Sequence, residues 1–134
     1  MRRAFALSLL VVCPTALAAC GTTTSTAGFK GTEHDVAQTI ANLQSDITSG
    51  EQKKVCENDL AAAVVTRLGG QKRCESAVKD QVAEIDNTEL EVRSVKVSGA
   101  TASASVKSTY QGKKQLRNVS LAKEGGKWKI ASIQ

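Results

Sequence analysis

The chain has 134 residues, 41% of them apolar and 3% aromatic, with one histidine, four cysteines and a formal net charge of +5. A chain of this length supports one hydrophobic core. The scarcity of aromatic rings excludes the stacking platforms on which single-strand nucleic-acid binders depend, so no nucleic-acid partner is expected despite the positive charge. The chain opens MRRAFALSLLVVCPTALAAC. Arg2 and Arg3 form a cationic start, Ala4 to Val12 an apolar run, and Ala18-Ala19 a small-residue site, which together have the layout of a secretory signal. The run falls short of the roughly 20 residues needed to span a bilayer, and Pro14 interrupts it.

Leu17, Ala18, Ala19 and Cys20 resemble the lipobox of bacterial lipoproteins. That resemblance implies removal of residues 1–19, a diacylglycerol on the Cys20 sulfur, and residence on the outer face of the cell membrane. Cys13 is the weaker candidate, because Val12 before it is bulky and Pro14 follows it. An ordinary signal peptide cut near Ala19 is the plainer alternative. Two or more acyl chains would hold the protein firmly, at about 0.8 kcal/mol per buried methylene. The following stretch, GTTTSTAGFKGT, has few apolar residues and reads as a flexible tether over 20–31. About 12 such residues have a root-mean-square reach of roughly 20 Å.

With Cys13 discarded and Cys20 acylated, Cys56 and Cys74 remain, and in an oxidising compartment the expectation is a disulfide between them. Zinc is the sharper alternative, but one histidine and no Cys-x-x-Cys pair leave it short of ligands, so no metal and no cofactor are expected.

From Thr32 the pattern is helical. Thr32 and Asp35 suggest a cap, and Val36, Ile40, Leu43 and Ile47 fall on one face of a helix ending near Gly50. A second helix is expected from Glu51 to Leu68, with a break near Asn58-Asp59 and Val55, Leu60, Val64 and Leu68 buried. A third should run from Lys72 to Ile85 with Ala77, Val78, Val82 and Ile85 inward, so that the disulfide staples the second helix to the third. After Thr88 the period changes to alternation. ELEVRSVKV places Leu90 and Val92 in one phase and Val95 and Val97 in the other, which predicts a β-bulge at Arg93-Ser94. TASASVKSTY, QLRNVSLAK and KWKIASI supply three more strands, joined through Ser98–Ala100, Gly112 and Gly125-Gly126. An antiparallel four-stranded meander follows from the short turns.

Helices followed by a bulged meander ending in GGKWKIASIQ resemble the nuclear transport factor 2-like (SnoaL-like) superfamily, and more narrowly small exported lipoproteins of that kind in actinobacteria. The resemblance rests on the SG turn, the Cys56/Cys74 pair, VKVSGATASASV and the terminal Gly-Lys-Trp-Lys-Ile segment, and covers residues 32–134. It implies an α+β cone, three N-terminal helices packed in a curved sheet. The superfamily holds isomerases and dehydratases as well as binding modules.

A catalytic group would have to project into the cone. His34 falls at the first turn of the first helix, and Glu89 and Glu91 alternate away from the apolar face. Ala102, Ala104 and Tyr110 share a phase on the inner face. They could line a small pocket with Tyr110 at its mouth, although Ala102 and Ala104 read more simply as positions where a helix packs close. No catalytic constellation emerges. Charge is more informative: residues 30–92 carry 7 basic and 12 acidic side chains, and residues 93–134 carry 9 basic and one acidic. Lys96, Lys107, Lys127 and Lys129 alternate with inward-facing residues and should line the outer face of the sheet. An anionic lipid surface, an envelope protein or a phosphate-bearing wall polymer would suit them, and a solvated sheet protected from edge pairing would look the same. The expected role is therefore a non-enzymatic binding or accessory module for a membrane or wall partner, with a cone-pocket isomerase or hydratase as the alternative.

Overall fold

A computed structural model describes residues 24–84, 89–110 and 112–134; Cys20, Ile85 and the side chains of Val82 and Tyr110 fall outside this description. Helix α1 spans Gly31–Thr48 and turns Val36, Ala37, Ile40 and Leu43 inward, the spacing that one face of a 3.6-residue helix imposes. Its start differs from the expected cap. The N-cap is Lys30, with no side-chain hydrogen bond, and Gly31 at φ +54° swings the extended chain into the helix. Only glycine takes that backbone angle without strain.

The single second helix of the sequence reading is three pieces: α2, Gln52–Lys54, runs into a π-helical turn, Val55–Asp59, and α3, Ala62–Arg67, follows. The π turn closes with the Leu60 amide donating to the Val55 carbonyl at 3.0 Å. Leu60 and Ala61 then run extended beside the last strand, where Ala61 donates its amide to the Ile130 carbonyl at 2.8 Å. The interruption therefore occupies part of an open sheet edge, which would otherwise invite pairing with another chain. Helix α4, Gln71–Glu84, completes the helical half.

Strands β1 (Glu89–Ser98), β2 (Thr101–Tyr110), β3 (Lys113–Glu124) and β4 (Lys127–Ile133) form one antiparallel sheet in the order β1-β2-β3-β4. Arg93 is the extra residue of a bulge, since Val92 pairs with Val106 and Ser94 with Ser105. A second bulge at Ala131 was not anticipated: Leu121 pairs with Ile130 and Ser120 with Ser132. Bulges raise the local twist, and two of them on opposite edge strands curve the sheet around the helices. Gly125 and Gly126, at φ +56° and +80°, make the two-residue turn between β3 and β4, as a type I′ hairpin requires.

The core joins α1 and the π turn to the concave face of the sheet. Val36, Ile40 and Val55 meet Val92, Val106, Leu121, Trp128 and Ile130, and Ala102 and Ala104 belong to the same buried cluster. This is an α+β fold of helices held in a curved four-stranded antiparallel sheet.

Candidate functional site

Cys56 lies on the π turn and Cys74 on α4, with Cα atoms 6.1 Å apart, and the two form a disulfide. Both are buried. The bridge ties the π turn to α4 and so closes the loop that carries α3, a helix that contributes no buried side chain.

A cavity of about 410 Å³ opens between the helices and the end of β4. Leu43 and Ile47 of α1, Val64 of α3, Leu68 just after it, Val78 of α4 and Ile133 of β4 form much of its wall, with Arg67, Gln81 and Ser132 among its polar members. Leu68 and Ile133 are 38% and 55% exposed, because they line an open mouth instead of filling a core. Of the residues expected to line a pocket, the side chain of Tyr110 falls outside the described residues, and the other two do not line this cavity. Ala102 and Ala104 are 7% and 2% exposed within the core cluster, where their small side chains let helix and sheet approach. Among the described residues no acidic side chain lines the cavity.

At the end of the π turn, Asp59 is buried to 3% exposure, and among the described residues its Oδ2 has no hydrogen-bond partner. Burial, reinforced by the neighbouring Asp46 carboxylate, pushes its pKa up to about 7, with Lys129 pulling the other way. Lys129 does not stand free on the outer face as expected: its ammonium donates to the Glu57 carbonyl at 2.6 Å, reaching round the β4 edge to the π turn. Glu124 similarly accepts from the Ala62 amide, 3.1 Å from Oε2, at the start of α3.

The other basic positions are dispersed. Lys107 pairs with Glu91 at 3.8 Å, and Glu91 also accepts from Arg93 at 2.6 Å. The Arg93 hydrogen bond is the chief reason the Glu91 carboxyl lies below its ordinary pKa. Lys96 and Lys127 are exposed on the two edge strands, three strand spacings apart across the sheet and offset along it. The four lysines are spread over β1, β2 and β4. A tighter basic group is present at the end of the β2–β3 ribbon, where Lys113, Lys114 and Arg117 are exposed and Leu116 is 68% exposed. The run GKKQLR was the signal for it, and alternation alone gave no reason to single it out. His34 is half-buried on the first turn of α1, 3.9 Å from Asp35, and Glu89 is exposed at the start of β1.

The segment expected to be a free tether is held from Thr24 onward. Thr24 is buried, its hydroxyl against the Gln44 side chain and donating to the Leu90 carbonyl at 3.2 Å. Phe29 packs on the core after a turn in which its amide donates to the Thr26 carbonyl. Among the described residues no cluster of His, Cys, Asp and Glu could hold a metal ion, and no helix is long and apolar enough to cross a membrane.

No protein-family model matches this chain, and no curated protein matches it. Solved structures do. A SEC-C motif containing protein from Rhodopseudomonas palustris superposes with a TM-score of 0.55 at 12% identity, over 72% of this chain and 74% of that one. A structure named Rd1NTF2_05 gives 0.52 at 16% identity over 76% and 97%. An NTF2-like protein of Campylobacter jejuni, named as a transpeptidase, gives 0.51 at 18% identity over 71% and 95%. At such identities the likeness is one of fold, and the fold is nuclear transport factor 2-like.

Proposed function

We propose that this chain is a lipid-anchored envelope protein, acylated at Cys20 on the outer face of the cell membrane, and that its NTF2-like domain is a non-enzymatic binding or accessory module for a membrane or wall partner. The observation that carries the reading is the Leu17-Ala18-Ala19-Cys20 sequence directly after a short apolar run. The buried Cys56–Cys74 bridge is consistent with an oxidising compartment. Intact-mass spectrometry of protein purified from its native host should find residues 1–19 removed and a diacylglyceryl mass on Cys20. A bare terminus would remove the proposal.

A second reading draws on the cavity. Its aliphatic walls, with the Arg67 guanidinium, the Gln81 amide and Ser132 as polar members, suit a small apolar molecule carrying a single polar or anionic end. A thermal-shift screen of medium-chain carboxylates should find a stabilising compound under this reading and none if the cavity only hydrates.

A further inference from the structure

We infer that the end of the β2–β3 ribbon, carrying Lys113, Lys114, Leu116 and Arg117, is the surface on which the domain rests against anionic lipid headgroups. The inference deepens the lipid-anchor reading and rests on it. Thr24 is fixed to the Leu90 carbonyl on β1, and the register continues from Leu90 to Ser108 and from Ser108 to Gln115. Gln115 itself lies between Lys114 and Leu116. The docked part of the N-terminal chain is thus two strand spacings, roughly 10 Å, from the basic group. Cys20 lies four residue steps before Thr24, a fully extended span of at most about 14 Å. A tether of that length cannot lift the domain clear of the bilayer, and it leaves from the neighbourhood of the ribbon end.

The charges there are available. Among the described residues Lys113, Lys114 and Arg117 have no salt-bridge partner, and the Arg117 guanidinium donates only to the neutral Gln115 side chain at 2.7 Å. Of the carboxylates nearby among the described residues, Glu91 is held by Arg93 and Lys107, and Glu89 is exposed on β1, two strands from Lys114. Alternation puts Lys113 and Arg117 on one face of the ribbon and Lys114 and Leu116 on the other. Cations flanking an exposed leucine from both faces suit edge-on contact with a headgroup layer, the leucine entering and the cations meeting phosphate.

Two arms test this. The mature chain with Cys20→Ser, which cannot be acylated, should sediment with vesicles of phosphatidylcholine containing phosphatidylglycerol and not with phosphatidylcholine alone, and added salt should release it. Lys113→Glu with Lys114→Glu and Arg117→Glu should weaken that binding about tenfold or more, whereas Lys96→Glu with Lys127→Glu should leave it nearly unchanged. Circular dichroism checks that each variant is folded. Equal binding to neutral vesicles, or equal loss in both variants, would overturn the inference. In the second arm the acylated protein from its native host is placed in both vesicle types, and amide exchange at residues 113–117 should be slower on the anionic surface. Identical exchange on both would also overturn it. Intact mass separately reports whether Cys20 carries lipid, so failure of the anchor and failure of the docking surface are read by different measurements.

Discussion

Lys129 on the last strand donates its ammonium to the Glu57 carbonyl across 2.6 Å, fastening the sheet edge to the π-helical turn. Glu57 is within the five-residue turn that ends at Asp59 and turns the chain toward Ala61. Replacing Lys129 by Met keeps the aliphatic stem and removes the donor, so the variant should lose about 1–2 kcal/mol of stability, typical of a hydrogen bond with one charged partner near the surface. Urea denaturation followed by far-ultraviolet circular dichroism should show a lower midpoint at unchanged slope. Lys129 also favours the ionised form of Asp59, so the same substitution should raise the pKa of that carboxyl.

Asp59 gives the protein a pH dependence opposite to that of a salt-bridged acid. Its pKa is raised to about 7 by burial and by Asp46, whereas in the unfolded chain it is about 3.9. Between these values the folded state holds a proton that the unfolded state has released, so stability is greatest at the acid end and falls as pH rises toward 7. Above about 7 both states are ionised and the full penalty of burying the charge remains. Asp59→Asn should therefore stabilise the protein at pH 8 by roughly 2–4 kcal/mol and flatten the decline between pH 4 and 7. Denaturant titrations across that range would show it, and an unchanged slope in the variant would place the dependence on another group.

The Cys56–Cys74 bridge closes a separation of 18 residues. Replacing both cysteines by Ser should cost about 3 kcal/mol by the chain-entropy relation for a loop of this size. The loss should be local before it is global, because α3 has no buried side chain to hold it. Amide exchange should quicken most in α3 and α4, while α1 and the strands keep most of their protection.

Periodicity made α1 and the meander legible. Val36, Ile40 and Leu43 are buried where a helical stripe places them, and the phase slip between Val92 and Val95 marked the Arg93 bulge. Trp128, Ile130 and Ile133 contain the same kind of slip, yet so near the end of the chain it was not taken for the second bulge, at Ala131. The break expected near Asn58-Asp59 falls where the π turn ends, but the stripe Val55, Leu60, Val64, Leu68 keeps one helical phase across it, whereas the π turn and the extended Leu60 and Ala61 change that phase and leave Leu68 at the mouth of a cavity. The fixing of Thr24 by Gln44 and Leu90 depends on partners 20 and 66 residues away. Low hydrophobicity correctly says that such a segment cannot fold by itself, and says nothing of a surface already built to receive it. Lys129 and Asp59 eluded the sequence for the same reason: alternation assigns a face, and only the folded chain brings Glu57 and Asp46 beside them.

Trp128 is the sole indole of the chain, 6% exposed within the sheet–helix core, and among the described residues its Nε1–H has no hydrogen-bond partner. Lys123 stands over the ring at 5.7 Å from its centroid. One dry, unpaired fluorophore at the joint between sheet and helices provides an intrinsic optical gauge. Its emission should be short in wavelength while the core is closed and shift to the red once water reaches the ring, so opening of this body can be timed without any attached dye.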